Sequence, residues 1–302
     1  MGQGDPLIQG RRPRVRRKWV RLALRAARLA LHQPERTADA VRRSYDRVAA
    51  GYDGVWTGHM RDLTLSMLDA LDVPPGSRCV DLACGTGFVT AELARRSGTR
   101  TLGVDFSAGM IAAARGLHDE CDFVQSDVLD FLRRRDSRSA DVITCAWGLG
   151  YTRPLAVLRQ AARVLRPGGR LAIIDNSLFS LWEVLWASSL AFAEDPQALR
   201  HVVKVRFLPG LRVLTGMMRL CGLRVSWRCA GARTFHVADG RAAIARLQAT
   251  GAAAGFEFAA DEASRDGIFA RFAEIMDARY PAPDGVPVTH RYFGAIGRKG
   301  KG

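Results

Sequence analysis

Three short stretches of this 302-residue chain set glycine and carboxylate where a nucleoside could be held. In Val80-Asp81-Leu82-Ala83-Cys84-Gly85-Thr86-Gly87-Phe88, a predicted strand turns into a helix. Gly85 and Gly87 let that backbone turn tightly and approach a ligand with no Cβ in the way. The next predicted strand ends in Asp105, an acid placed to accept hydrogen bonds from two ribose hydroxyls. A third ends in Ser126-Asp127-Val128, which offers a carboxylate beside an adenine amino group. Either acid alone reads equally well as a cap or turn residue; three features at successive strand ends do not. A dinucleotide fingerprint would want Gly or Ala where Thr90 stands, which disfavours a pyrophosphate cradle.

The elements that must position these residues follow from hydrophobic periodicity. Strands are predicted at Arg78–Ala83, Thr101–Asp105, Asp122–Gln125, Ala140–Ala146 and Arg170–Asp175. Helices fall between them at Phe88–Arg96, Ala108–Leu117 and Leu155–Leu165. The alternation predicts an α/β doubly wound, mostly parallel sheet with ligands at the carboxyl ends of its strands. Residues 176–222 break the pattern with an aromatic, mostly helical stretch. A strand near Leu223–Cys229, helices near Arg241–Ala249 and Ile268–Ala278, and a last strand at His290–Gly297 follow. Upstream, helices are predicted at Arg14–Leu31, closed by Pro34, then at Ala38–Ala50 and Arg61–Leu71.

With these motifs in place, residues 78–175 resemble a class I S-adenosylmethionine-dependent methyltransferase. The matching stretches are Asp81 to Gly87, Gly103-Val104-Asp105-Phe106-Ser107, Ser126-Asp127-Val128 and Leu165-Arg166-Pro167-Gly168-Gly169-Arg170-Leu171. Ser44-Tyr45-Asp46-Arg47-Val48-Ala49-Ala50-Gly51-Tyr52-Asp53 resembles the tyrosine-bearing segment of small-molecule members. The resemblance implies a Rossmann-like methyltransferase fold with S-adenosyl-L-methionine as cofactor. It implies Gly85 and Gly87 at the methionine part, Asp105 and Phe106 at the ribose, and Ser126, Asp127 and Val128 at the adenine. Asp81 and Ala83 belong to the first motif, Ala83 standing where many members have glycine; Tyr45 and Tyr52 would cover the methionine end. Ala146 and Trp147, at the fourth strand's end, would lie near the adenine or the acceptor. Phe235 to Thr250 and Gly285 to Thr289 resemble the C-terminal part of malonyl-acyl-carrier-protein O-methyltransferases.

The acceptor is narrowed by what is missing. Exocyclic-amine methylases carry an N/D-P-P-aromatic run where this chain has Ala146-Trp147-Gly148-Leu149. Catechol-type enzymes need a further acid beside Asp175-Asn176, and Ala146 and Trp147 occupy its place, so no metal is expected. The 176–222 segment is expected to form a helical lid, with Phe179, Trp182 and Trp186, joined by Tyr151 and Arg206, around the acceptor. A hydroxyl or acidic carbon would need a base, for which His201, His236 and His59 are candidates. A carboxylate acceptor would need none, and Arg206 could hold it. The leading expectation is O- or C-methylation of a small, lipophilic, quinone- or lipid-like molecule. The alternatives are carboxyl O-methylation of a free or carrier-bound acid, and RNA methylation through a basic arm.

Charge weighs against RNA. The net charge is +15, and 41 of the 45 basic residues are arginine. Residues 1–50 carry 13 basic and 4 acidic side chains, so the remaining body is only mildly basic and nucleic acid is a disfavoured partner. Residues 1–13, rich in Gly, Pro and Arg, are expected to be disordered. From Arg14, a helical wheel gathers Arg14, Arg17, Lys18, Arg21, Arg25 and Arg28 in one arc and sets Val15, Trp19, Leu22, Ala26 and Leu29 against them. Such a helix either rests on an anionic membrane surface with Trp19 at headgroup level, or packs on its own domain. The longest apolar run, Ser177–Ala193, is 17 residues with Glu183 inside, too short to span a bilayer. The six cysteines form no C-x-x-C pair and read as buried thiols in a cytoplasmic protein. The expected organisation is a basic arm with helices at 1–50 and a methyltransferase domain at 51–302, the lid at 176–222.

Overall fold

Five strands pair in parallel: β1 (Cys79–Leu82), β2 (Leu102–Asp105), β3 (Asp122–Gln125), β4 (Ala140–Ala146) and β5 (Leu165–Asn176). Two long strands, β6 (Leu223–Val237) and β7 (Val286–Lys299), complete the sheet antiparallel, in the order β3-β2-β1-β4-β5-β7-β6. The computed structural model describes residues 12–32, 37–52, 54, 56, 58–250, 259–281 and 285–300. Readings placed on residues 1–11, on the side chains of Arg14 and Val15, and on Pro34 and Asp53 lie outside the described residues. The chain begins in the middle of the sheet and winds outward first through β2 and β3, then through β4 and β5. The crevice beyond the C-terminal end of β1, between β2 and β4, is therefore the switch point where such sheets bind ligands.

Helices cover both faces, which is why β4 is buried along six consecutive residues instead of alternating. On one face α6 (Val128–Arg134), α7 (Pro154–Val164) and α9 (Leu211–Leu220) pack on Leu82, Val104, Ile143, Leu171 and Phe293. On the other, α3 (Gly58–Leu71) and α4 (Phe88–Ser97) bury Met67, Leu68, Leu71, Val89 and Leu93 against Val142, Ile174 and Ile296. Ser107 caps α5 (Ala108–Leu117) by accepting from the Met110 N–H, and Asp127 caps α6 by accepting from Leu129 and Asp130.

A second core lies apart from the sheet's main body. It joins α8 (Trp182–Glu194), α10 (Gly240–Thr250), α11 (Glu262–Arg279) and the start of β7, through Val184, Phe192, Leu247, Phe272, Met276 and Val288. Helix α1 (Arg12–His32) packs Leu22, Ala26 and Leu29 onto this core, and the Arg25 Nε donates to the Leu199 carbonyl. The segment 176–222 therefore divides. Its first half joins the second core, whereas α9 is an outer helix of the main sheet, packed on β6 and β7.

Candidate active site

The turn after β1 is held in left-handed backbone by Ala83 (φ 54°), Gly85 (φ 55°) and Gly87 (φ 92°). Two carboxylates fix it, Asp81 buried and Asp105 half-buried. Asp81 accepts the hydroxyls of Thr90 (2.8 Å) and Thr144 (2.6 Å), tying β1 to α4 and β4; burial pushes its pKa up to about 7. Asp105 accepts the Gly85 N–H on Oδ2 and the Ser107 N–H on Oδ1, both at 2.9 Å. Burial raises its pKa, and those backbone donors oppose the rise. The acid expected at a ribose thus also pins the glycine turn, and each carboxylate oxygen keeps a second lone pair for a ligand. Ser126 hangs on the Asp105 carbonyl through its N–H at 2.8 Å, which lines the β3 end up with the β2 end.

The tyrosine-bearing segment is latched across this site. It begins as α2 (Thr37–Val48) and ends in a 3-10 turn at Ala49–Gly51. Asp46 Oδ1 accepts the Ser107 hydroxyl (2.5 Å) and the Gly109 N–H (3.0 Å), a carboxylate at the positive end of α5. Tyr45 then packs edge-on against Tyr52 (6.1 Å between centroids) and Tyr151 (5.8 Å), and Tyr151 against Phe207 (5.2 Å). Burial pushes the Tyr45 phenol up and that of Tyr151 to about 12, so both remain neutral donors.

These elements line a half-open cleft walled by Tyr52, Trp56, Gly85, Phe88, Ala146 and Trp147. A methyl group built on Gly85 would meet only the Tyr52 ring, at 4.0 Å, so the space over this glycine is open. At Gly87 the same methyl would strike His118 and Phe123 at 2.8 and 2.9 Å. Gly85 thus leaves room for a ligand to approach, and Gly87 serves the packing of the turn on Phe123. An open glycine turn, a carboxylate behind it and a hooded cleft fit a nucleoside with a short amino-acid arm. Trp147 (φ 61°) is swung into the cleft, its Nε1 donating to Thr64 Oγ1 at 2.9 Å, and it packs on Trp56 (5.9 Å) and Tyr292 (6.4 Å).

Other expected residues are spread more widely. His201 is buried with Nε2 3.4 Å from Thr37 Oγ1, where it joins α2 to the loop before α9; His236 is exposed on β6. His59, by contrast, sits in an aromatic cluster with Trp56. Trp186 packs in the second core under the Arg279 guanidinium, while Phe179 and Trp182 are exposed. Arg206 is also exposed; its N–H donates to the Gly150 carbonyl (2.7 Å), and the side chain of the next residue, Phe207, fills the space where a Gly150 Cβ would sit. Asp175 is buried and accepts the N–H groups of Gly150 and Asn176; burial pushes its pKa up to about 7. Among the described residues, no group of three His, Cys, Asp or Glu is arranged to hold a metal ion. Trp56, His290 and Tyr292 carry no local signal in the sequence; Trp56 and Tyr292 pack on Trp147, and His290 packs on Trp56. The latch of Asp46 is signalled only by its place beside the first tyrosine.

The strand order, the glycine turn and the acids at the ends of β1 and β2 define a class I methyltransferase site. A methyltransferase-domain family matches residues 79–169. The chain is 35% identical to the demethylmenaquinone methyltransferase of Corynebacterium kroppenstedtii over 172 residues, covering 52% of this chain and 73% of that one. It is 32% identical to the enzyme of the same name from Beutenbergia cavernae, covering 56% and 72%. In structure it resembles the YcgJ protein of Bacillus subtilis, with a TM-score of 0.54 at 16% identity, covering 79% of this chain and 98% of that one. The chain belongs to the class I S-adenosylmethionine-dependent methyltransferases. It transfers a methyl group from S-adenosyl-L-methionine to a small-molecule acceptor.

Proposed function

We propose that the acceptor is a lipophilic hydroquinone of the demethylmenaquinol class, methylated on a ring carbon. The observation that carries this reading is the aromatic box of Trp56, Trp147 and Tyr292, of which Trp56 and Trp147 line the cleft and Tyr292 packs edge-on against Trp147, a wall suited to a flat, apolar ring. The relatives named above act, by their names, on demethylmenaquinone. S-adenosylmethionine supplies an electrophilic methyl group on a positively charged sulfur. This chain's residues hold and orient. Gly85 would pass the methionine arm, Asp105 with Phe106 the ribose, and Asp127 with Ser126 and Val128 the adenine; Tyr45 and Tyr52 hood the methionine end. Asp81 and Ala83 shape the turn, and Ala146 and Trp147 divide cofactor from acceptor. Tyr151 borders the acceptor side, and the exposed Phe179 and Trp182 line its approach. Aligning two reactants in a site that excludes water is the main source of rate for such a displacement.

A lipophilic acceptor dissolves in membrane, and the reading includes a means of reaching it: a cytoplasmic enzyme resting on an anionic bilayer surface. Helix α1 spends its Leu22, Ala26 and Leu29 face on the second core, so that face is not the one turned to lipid. A second apolar stripe, Val20, Leu24 and Leu31, is exposed, with Arg17, Arg21 and Arg28 exposed beside it. Helix α8, on which α1 packs, exposes Trp182 and Leu185. No helix among the described residues is long and apolar enough to cross a membrane. The test of the acceptor is methyl transfer from labelled cofactor to a panel of short-chain demethylmenaquinols, free fatty acids and transfer RNA. Label on the quinol ring carbon supports the reading, and label only on acid or RNA overturns it.

A further inference from the structure

Two histidines from distant parts of the chain meet beside the aromatic box. His59, in the first turn of α3, and His290, in β7, have ring centroids 5.5 Å apart. Both pack on Trp56, at 6.3 and 5.3 Å, and Trp56 packs on Trp147 at the cleft wall. His59 Nε2 and His290 Nδ1 are both shielded from solvent and have no hydrogen-bond partner among the described residues. A buried polar atom without a partner is destabilising, so it is kept only where a further group satisfies it. Two in one cluster, packed on the Trp56 ring whose other neighbour is Trp147 of the cleft wall, are the mark of a site awaiting a polar group.

We propose that the His59–His290 pair receives a ring hydroxyl of the acceptor and takes its proton as methyl transfer proceeds, a role that rests on the hydroquinone reading above. The O–H bond breaks, its electron pair stays on oxygen, and the proton moves to an imidazole nitrogen. The charge on oxygen delocalises into the ring, whose carbon forms the new bond to methyl while the sulfur keeps the pair of the bond that breaks. The ring carbon then loses its hydrogen as a proton to water, and the imidazolium returns its proton to the oxygen. One proton is released per methyl group.

The surroundings keep both imidazoles unprotonated, which makes them weaker bases than an ordinary histidine, so the oxyanion must be stabilised as the proton moves. The Arg246 guanidinium, on α10, lies over the Phe235 ring at 4.4 Å, and Phe235 packs on both histidines. Arg233, on β6, donates to the His59 carbonyl and pairs with Asp62, on α3, at 3.7 Å. Burial and this positive charge hold His59 to a pKa of about 4; burial, His59 and Arg246 hold His290 to about 3. Both are thus neutral, with a nitrogen lone pair to offer, at every physiological pH, and the same arginines favour the oxyanion once it forms.

The experiment uses the full chain and the variants His59→Gln and His290→Gln. General-base loss is worth about 10²–10⁴-fold in turnover. Each variant is expected to lower kcat on a short-chain demethylmenaquinol at least a hundredfold, with S-adenosylhomocysteine affinity within twofold and KM changed less than kcat. The acid limb of wild-type kcat/KM is expected near pH 4 and not at the usual 6.5. A readout without turnover is histidine ¹⁵N NMR of the S-adenosylhomocysteine complex, in which 1-naphthol should shift the imidazoles of His59 and His290. Unshifted imidazoles, or full turnover in both variants, overturn the proposal. If wild type methylates no quinol, the acceptor reading fails, and the naphthol titration still decides whether the pair binds an aromatic hydroxyl. Should His290→Gln fail to fold, the half-buried His59→Gln and the wild-type titration carry the test.

Discussion

Ala83 and Gly148 touch: a Cβ added to Gly148 would lie 2.4 Å from that of Ala83. The glycine turn after β1 and the turn that swings Trp147 into the cleft are therefore wedged against each other through one methyl group. Gly148 has φ −131°, which alanine adopts without strain, so the collision alone decides its substitution. Gly148→Ala is expected to cost about 1–3 kcal/mol of stability and to weaken cofactor binding as the β1 turn gives way. Ala83→Gly removes both the obstructing methyl and a left-handed alanine, and should by itself stay within about 1 kcal/mol of wild type. The double variant should regain most of the loss. Thermal melts and calorimetry on the four proteins check this, and additive effects would refute the contact.

Asp105 pins the glycine turn, and the proposed cofactor pose gives it the ribose as well. Asp105→Ala removes the acceptor for the Gly85 and Ser107 N–H groups together with the proposed ribose contact. It should weaken S-adenosylhomocysteine binding at least tenfold, since hydrogen bonds to a charged group contribute about 1.5–3 kcal/mol each. Asp105→Asn keeps one carbonyl oxygen and should lose less. Equal affinity for wild type and the alanine variant by calorimetry would remove Asp105 from the cofactor site.

Asp81 predicts a pH dependence of stability. Its ordinary pKa of 3.8 is raised to about 7 in the folded protein, so between these values the unfolded chain has released a proton that the native one retains. Stability from this group is complete below pH 3.8 and falls by about 1.4 kcal/mol per unit as pH rises toward 7, where the loss levels off. Asp81→Asn removes the titration while its amide can still meet the rotatable hydroxyls of Thr90 and Thr144. Denaturant melts should show the variant gaining on wild type from pH 5 to pH 7.5. Parallel curves would mean that Asp81 is ionised in the folded state.

Strand ends, the glycine turn and Asp105 were legible because a buried parallel sheet writes short apolar runs into the chain and glycine marks positive φ. The acceptor end was not. His290 lies in a strand whose register against β5 pairs Tyr292 with Asn176, and nothing local announces that a neighbouring histidine will meet His59. Trp186 shows the opposite failing: aromatic density located the 176–222 segment, but not that α8 turns Trp186 into the second core. Packed on the second core under Arg279, it should behave as a core residue. Trp186→Ala is expected to lose about 3 kcal/mol of stability. Its acceptor KM per folded molecule should stay near wild type, as melts beside acceptor kinetics would show; a tenfold rise in KM with an unchanged melt would return it to the pocket.

Helix α1 was read with one apolar face and has two. The stripe recognisable beside the arginine arc is the one that packs, and the exposed stripe, Val20, Leu24 and Leu31, lies between that arc and Ala23. At 100° per residue these three residues fall within about 40° of each other, a narrow ridge suited to shallow insertion. Deleting the arm would strip Leu22, Ala26 and Leu29 from the second core and confuse binding with unfolding. Point changes on the ridge avoid that, because Leu24 and Leu31 are 67% and 78% exposed. Wild type should co-sediment with vesicles containing phosphatidylglycerol at low salt and release from them as ionic strength rises, since exposed arginines are screened within about 10 Å at 0.1 M. Leu24→Asp with Leu31→Asp should abolish co-sedimentation, leave the melting temperature unchanged, and spare turnover of a detergent-dispersed short-chain acceptor. Arg21→Glu with Arg28→Glu should do the same. Binding equal to wild type in both pairs would show that lipid does not dock on this helix.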